Sequence, residues 1–141
     1  MIRVPPAILG AKIIITGRSL GSKEIPMKLY HAERMDGIKE AFEADVLLFP
    51  EVNPRKMMGC PCYMAGNKMF ATLVDEAVVI TKLEEGDRDL LMADHGAGPF
   101  THGTKVMSKW MRVPLEREED LEVILPFVKR SYEAAMKEYE G

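Results

Sequence analysis

Residues 56–83 read KMMGCPCYMAGNKMFATLVDEAVVITKL, and the punctuation inside this stretch decides the fold. Lys56–Met64 leads into Ala65-Gly66-Asn67, where Gly66-Asn67 is a two-residue pair suited to the positive φ of a tight hairpin. Lys68–Val74 then returns as a second strand, its successive side chains pointing to opposite faces. Asp75-Glu76 reverses the chain again, and the β-branched, apolar run Ala77–Leu83 reads as a central strand. Three consecutive strands with short turns predict an antiparallel meander.

On the N-terminal side, Leu29–Glu43 has helical spacing. Met35, Ile38, Ala41 and Phe42 form one apolar stripe, and Glu33, Arg34, Lys39 and Glu40 occupy the rest. Val46–Phe49 is a short apolar run closed by Pro50 and the turn signal Asn53-Pro54. On the C-terminal side, Asp87 is placed to cap a short helix reaching about Asp94, with Leu90, Leu91 and Ala93 turned inward. His95-Gly96-Ala97-Gly98-Pro99 has the composition of a loop. Thr104–Val113 reads as a fourth strand, with Met107, Lys109, Met111 and Val113 on one face and Val106, Ser108, Trp110 and Arg112 on the other. The final helix is the clearest element. Leu121, Ile124, Leu125, Val128, Tyr132, Ala135, Met136 and Tyr139 follow the i, i+3, i+4, i+7 rule, and Pro126 predicts a helix start or a kink. The expected fold is therefore α+β: a single antiparallel sheet with helices packed on it, in the order α-β-β-β-α-β-α.

Composition narrows the function classes. The chain has 141 residues and a net charge of −3, and no apolar run long enough to span a bilayer. Residues 1–26 hold Arg3, Lys12, Arg18 and Lys23 against Glu24 and carry +3, which leaves −6 on the rest. These 26 residues read as a basic N-terminal extension, with a short strand at Lys12–Thr16 and a loop at Gly17–Ser22, preceding one domain at 27–141. Direct nucleic-acid binding is not expected of an acidic body, and neither is membrane association. Two cysteines do not make a secreted disulfide scaffold, so a reducing, cytoplasmic setting fits.

The densest chemistry lies in Met57-Met58-Gly59-Cys60-Pro61-Cys62-Tyr63-Met64. Thiolates and thioethers are soft ligands of the kind that hold Cu(I). On a strand, Cys60 and Cys62 share a face with Met58 and Met64, unless Pro61 bends the chain. The same side chains are also good core fillers, because free Cys and Met behave as adaptable hydrophobes. His95 and His102 flank the glycine loop and, with Cys60 and Cys62, form the candidate metal set, although the spacing is not that of a zinc finger. Gly17–Lys23 fails the spacing of a phosphate-binding loop. No serine or cysteine comes with a marked base, so no catalytic residue and no cofactor are expected. The run Glu116–Asp120 suits the positive end of the last helix or an acidic docking edge. Lys105, Lys109 and Arg112 around Trp110 are diluted over both faces of their strand.

Arg55-Lys56-Met57-Met58-Gly59 followed by Tyr63-Met64-Ala65-Gly66-Asn67-Lys68-Met69-Phe70-Ala71 resembles the opening of the TfoX N-terminal domain family. Trp110-Met111-Arg112-Val113-Pro114 with the helix from Leu121 to Ala135 is similar to that family's final strand and helix. YjbR-like domains are more distant relatives. The resemblance extends over about residues 30–140 and departs at Met58, where the family usually has Phe, and at Cys60-Pro61-Cys62. TfoX regulators also carry a second helical domain, whereas this chain is expected to end with the first. The resemblance implies a small non-enzymatic binding or regulatory domain acting through an unidentified protein partner or self-association. Met107, Trp110 and Met111 are its candidate contact residues, and a soft-metal or redox protein built on Cys60 and Cys62 is the alternative.

Overall fold

A computed structural model describes residues 30–141. The strand expected at Lys12–Thr16 and the loop at Gly17–Ser22 lie outside this range. The apolar stripe of the first helix, α1 (Ala32–Val46), is buried as its spacing requires: Met35, Ile38, Phe42 and Val46 all face inward. Six strands follow, interrupted by one helix and closed by another: β1 (Val52–Met57), β2 (Cys60–Ala65), β3 (Lys68–Val74), β4 (Ala77–Ile80), α2 (Glu85–His95), β5 (Gly98–His102), β6 (Lys105–Pro114) and α3 (Asp120–Glu140). They form one sheet, ordered β1-β2-β3-β4-β6-β5, with every neighbouring pair antiparallel. The α+β class and the single antiparallel sheet are as the sequence implies. The element order is corrected to α-β-β-β-β-α-β-β-α.

Both added strands come from segments that look like breaks. The stretch expected as one strand, Lys56–Met64, is a hairpin turning at Met58-Gly59, where φ is 53° and 81°. β1 tolerates Pro54 because it is an edge strand, where a missing N–H breaks no interior ladder. Pro61 lies inside β2 but beyond the β2–β3 ladder, which begins at Cys62–Thr72, and the Thr72 hydroxyl donates to its carbonyl at 2.8 Å. At the other edge Gly98-Pro99 starts β5 instead of remaining loop. Gly96, in the left-handed region, ends α2, and the Ala97 N–H closes on the Leu91 carbonyl. In α2, Leu91 is buried while Leu90 and Ala93 are exposed, and Asp87 does not cap the helix but pairs with Arg130 of α3 at 2.6 Å.

Two irregularities re-aim side chains. In β3 the register with β2 shifts between Tyr63 and Met64, so Phe70 is an extra residue and joins Ala71 on the helix-bearing face. In β6, Pro99 pairs with Met111 but Phe100 pairs with Met107, which leaves Ser108, Lys109 and Trp110 as a bulge. The strict alternation expected of β6 fails there: Met107 no longer shares a face with Met111.

α3 lays Leu121, Ile124, Val128, Tyr132 and Ala135 on the sheet, and Pro126 sits on its exposed side, where water can serve the carbonyl it frees. The Tyr132 ring meets Phe70 and Phe49, and its hydroxyl donates to the Pro50 carbonyl at 2.7 Å. Tyr63 packs on Phe42 and donates to Glu43 at 2.7 Å, tying β2 to α1. Ser131, fully buried, donates to the Phe70 carbonyl at 2.7 Å and accepts the Lys82 N–H at 3.0 Å. Its hydroxyl thus stands in for a rung of the ladder where the Phe70 bulge ends the β3–β4 pairing.

Candidate functional site

An antiparallel sheet with helices on one side ordinarily turns polar side chains to solvent on the other. This sheet does not. Every residue of β4 is buried, and β3 buries Thr72 and Val74 on the face away from the helices. The two outer hairpins supply the cover, because residues from both line one cavity of about 220 Å³ on that face.

The β1–β2 hairpin contributes Met57 from the end of β1 and Met58 from its turn, with Cys60 and Cys62 from β2. β3 adds Met69, Thr72 and Val74 as the floor. The β5–β6 hairpin supplies Phe100, Met107 and Trp110, with His102 and Lys105 at its turn. The Phe100 and Trp110 rings stack with centroids 6.2 Å apart, and the bulge in β6 is what brings Met107 to the same face as Trp110. Met58 holds a positive φ that L-residues with long side chains adopt at a cost, a sign of local strain at the cavity mouth.

Polar groups inside are few and internally satisfied. The Cys62 thiol is within reach of the Cys60 carbonyl at 3.5 Å and of Thr72 Oγ1 at 3.6 Å. Both cysteines are buried and free. Burial, together with the neighbouring Cys62 and the Asp75 charge, pushes the Cys60 thiol up to about 11, so it is a neutral, poorly nucleophilic thiol near pH 7.

The candidate metal residues are thus divided. Cys60, Cys62 and His102 line the same cavity, whereas His95 ends α2 on the other side and meets Phe127 edge-on. Among the described residues, no three His, Cys, Asp or Glu side chains are close enough to share a metal ion. Of the candidate contact residues, Met107 and Trp110 line the cavity. Met111 is corrected to the core: it is 1% exposed, pairs with Ile80 and cannot reach a partner. Met69 and Phe100 also line the cavity, and nothing in the sequence pattern marks either of them for it. Met69 follows from the β3 bulge, and Phe100 belongs to a segment read as leading out of a loop. Met64, expected beside the cysteines, is half-buried and does not line the cavity.

Other charged groups lie apart. His31, which has no evident partner in sequence, pairs with Asp75 in the β3–β4 turn, and Arg34 joins them at 3.4 Å. Burial alone would raise the Asp75 carboxyl, but hydrogen bonds from the His31 ring and backbone, with the nearby positive charges, outweigh it and hold the group below its ordinary value. Asp120 is also lowered, because the Glu116 and Arg117 N–H groups donate to it at 2.9 and 3.1 Å. An open depression of about 850 Å³ between α1 and the start of α3 is lined by Asp45, Glu116, Glu118, Glu119 and Glu122 against two arginines. It gathers carboxylates on a solvated surface without any buried polar group aimed into it. No helix of the described residues is long and apolar enough to cross a membrane.

Comparison with curated proteins and with solved structures returns no match. The family profile described as the TfoX N-terminal domain matches residues 46–135, which takes in all six strands, α2 and α3 as far as Ala135, but leaves out most of α1. With more than half of its length matched across the whole sheet, the chain belongs to the TfoX N-terminal domain family.

Proposed function

We propose that this domain is a non-catalytic binding module of regulatory type, and that it engages a protein partner through the helix-free face of its sheet. The observation that supports this most is the character of that face. Met57 and Met58, which are 45% and 62% exposed, form an apolar lip on a cavity that Met107 and Trp110 also line. Methionine-rich, hairpin-borne surfaces adapt to partner side chains without a fixed shape. Half-buried Trp110, stacked on buried Phe100, supplies the kind of anchor that dominates interface energies. The family membership supports a regulatory role, and the chemistry supports a role without turnover: the cavity holds the raised, neutral Cys60 thiol and no carboxylate. The proposal places the domain in the cytoplasm, where adjacent thiols stay reduced.

Trp110 is the one tryptophan of the chain, so its emission reports directly on this surface. Self-association or binding of an isolated partner is expected to shift Trp110 emission. Met58→Asp and Met107→Asp are expected to weaken it at least about tenfold, as charges in a desolvated patch do. Binding that leaves Trp110 emission unchanged and tolerates both aspartates would end this reading.

A further inference from the structure

The wall of the cavity has a composition that apolar packing alone does not call for. Six of its twelve lining residues carry sulfur: both cysteines of the chain and four of its eleven methionines. Only Val74 is aliphatic. An ordinary core void is lined by branched hydrocarbons whose rotamers fill space well; thioethers and thiols gathered from four strands and a turn are instead a concentration of soft donors. No carboxylate joins them, which disfavours hard cations such as Mg²⁺ and Ca²⁺. No third His, Cys, Asp or Glu is within range of the cysteine pair among the described residues, which disfavours a four-coordinate zinc centre. Soft monovalent d¹⁰ ions are satisfied by fewer ligands and take thioethers readily. Met58 is held at the mouth in a strained left-handed conformation that Asn or Gly would adopt more easily.

We propose that the cavity is a Cu(I) site, in which the Cys60 and Cys62 sulfurs hold the ion and the thioethers of Met57, Met58 and Met69 surround it. On binding, each thiol releases its proton to solvent and gives a sulfur lone pair to the ion. Copper enters and remains as Cu(I), so no electron is transferred. His102 and Lys105 stand at the opposite lip and are not ligands. The site rests on the sulfur-lined geometry and stands whether or not the same face docks a protein.

The test is a titration of the full reduced chain, without oxygen, with Cu(I) held by a competing colorimetric chelator. One ion per chain is expected. The double variant Cys60→Ser/Cys62→Ser is expected to lose more than about a hundredfold in affinity, at least as much as is lost on removing the outer partners of a metal site. Met57→Leu/Met58→Leu keeps the apolar wall but removes two thioethers, and is expected to lose about tenfold. X-ray absorption of the wild-type complex is expected to show sulfur alone around the metal. This readout decides the question if a variant fails to fold. Nitrogen or oxygen ligands in that spectrum would overturn the assignment. So would equal Cu(I) retention by the wild type and the cysteine variant, or equal affinity in the urea-unfolded chain, where two thiols act without a cavity.

Discussion

Ser131→Ala removes one oxygen atom from the interior of the helix–sheet interface. The hydroxyl bridges two backbone groups, donating to the Phe70 carbonyl at 2.7 Å and accepting the Lys82 N–H at 3.0 Å. The two losses are unequal. Phe70 keeps a second donor, the Thr81 N–H at 3.2 Å, whereas the Lys82 N–H has no other partner among the described residues. Stranding one backbone donor costs about 1–3 kcal/mol, and losing the bond to an acceptor that remains served adds less than about 1. Lys82 is half-buried, so water can recover part of the donor's loss, and the working figure is about 2 kcal/mol. That corresponds to roughly a thirtyfold shift toward the unfolded state. Equilibrium unfolding in urea, followed by far-ultraviolet circular dichroism, reads it as a lowered midpoint at unchanged slope. Ser108→Ala, at an exposed site in β6, is the control and should move the midpoint by less than about 0.5 kcal/mol. If Ser131→Ala behaves like that control, the hydroxyl does not complete the ladder and the account of the Phe70 bulge is wrong.

Other perturbations reach different parts of the structure. Gly66→Ala places a methyl in a left-handed turn and against the Tyr139 ring, 2.4 Å from its nearest carbon; it should cost about 1–2 kcal/mol, and adding Tyr139→Ala should relieve the clash without the backbone strain. Recovery of the full loss would show that the turn tolerates alanine. Asp75 has its carboxyl lowered in the folded state, so it contributes stability that is present above the ordinary carboxylate value and lost as pH falls through the lowered one. Asp75→Asn should flatten the decline of the urea midpoint below about pH 4, and an unchanged acid limb would refute the His31–Asp75 account. In a Cys62→Ser background, where burial and the Asp75 charge still raise the thiol but the Cys62 charge no longer does, the alkylation rate of Cys60 should climb about tenfold per pH unit past the ordinary thiol value before it levels. A plateau near pH 8.5 would mean that the cavity is open to water.

How much the sequence discloses depends on how local the cause is. α3 is legible because Leu121, Ile124, Val128, Tyr132 and Ala135 repeat at helical spacing over the whole element. The β2–β3 and β3–β4 turns are legible because Gly66 and Asp75-Glu76 punctuate apolar runs. β1 and β5 are not, since Pro54 and Gly98-Pro99 mimic breaks, and only their positions at the two sheet edges make prolines tolerable. The bulges at Phe70 and at Ser108–Trp110 leave no mark in a pattern of alternation, yet they decide that Phe70 faces the helices and that Met107 parts from Met111. The soft-donor character of Met57–Met64 is visible as composition. Its convergence with Met69, Met107 and Trp110 is not, because it arises from two hairpins far apart in sequence closing over one face. His31 shows the same limit: its partner, Asp75, is 44 residues away.

The outer hairpins meet over a sulfur-lined cavity on the helix-free face, and everything proposed for the site depends on that meeting. Methyl-labelled methionine NMR on the reduced chain tests it most directly. Through-space contacts should link the Met57 or Met58 methyl with the Trp110 ring or the Met107 methyl, and these methyls should be the ones that shift when Cu(I) or a partner binds. Sharp, solvent-like Met57 and Met58 signals with no contact to Trp110 or Met107 would mean that the hairpins splay apart and that no such cavity exists.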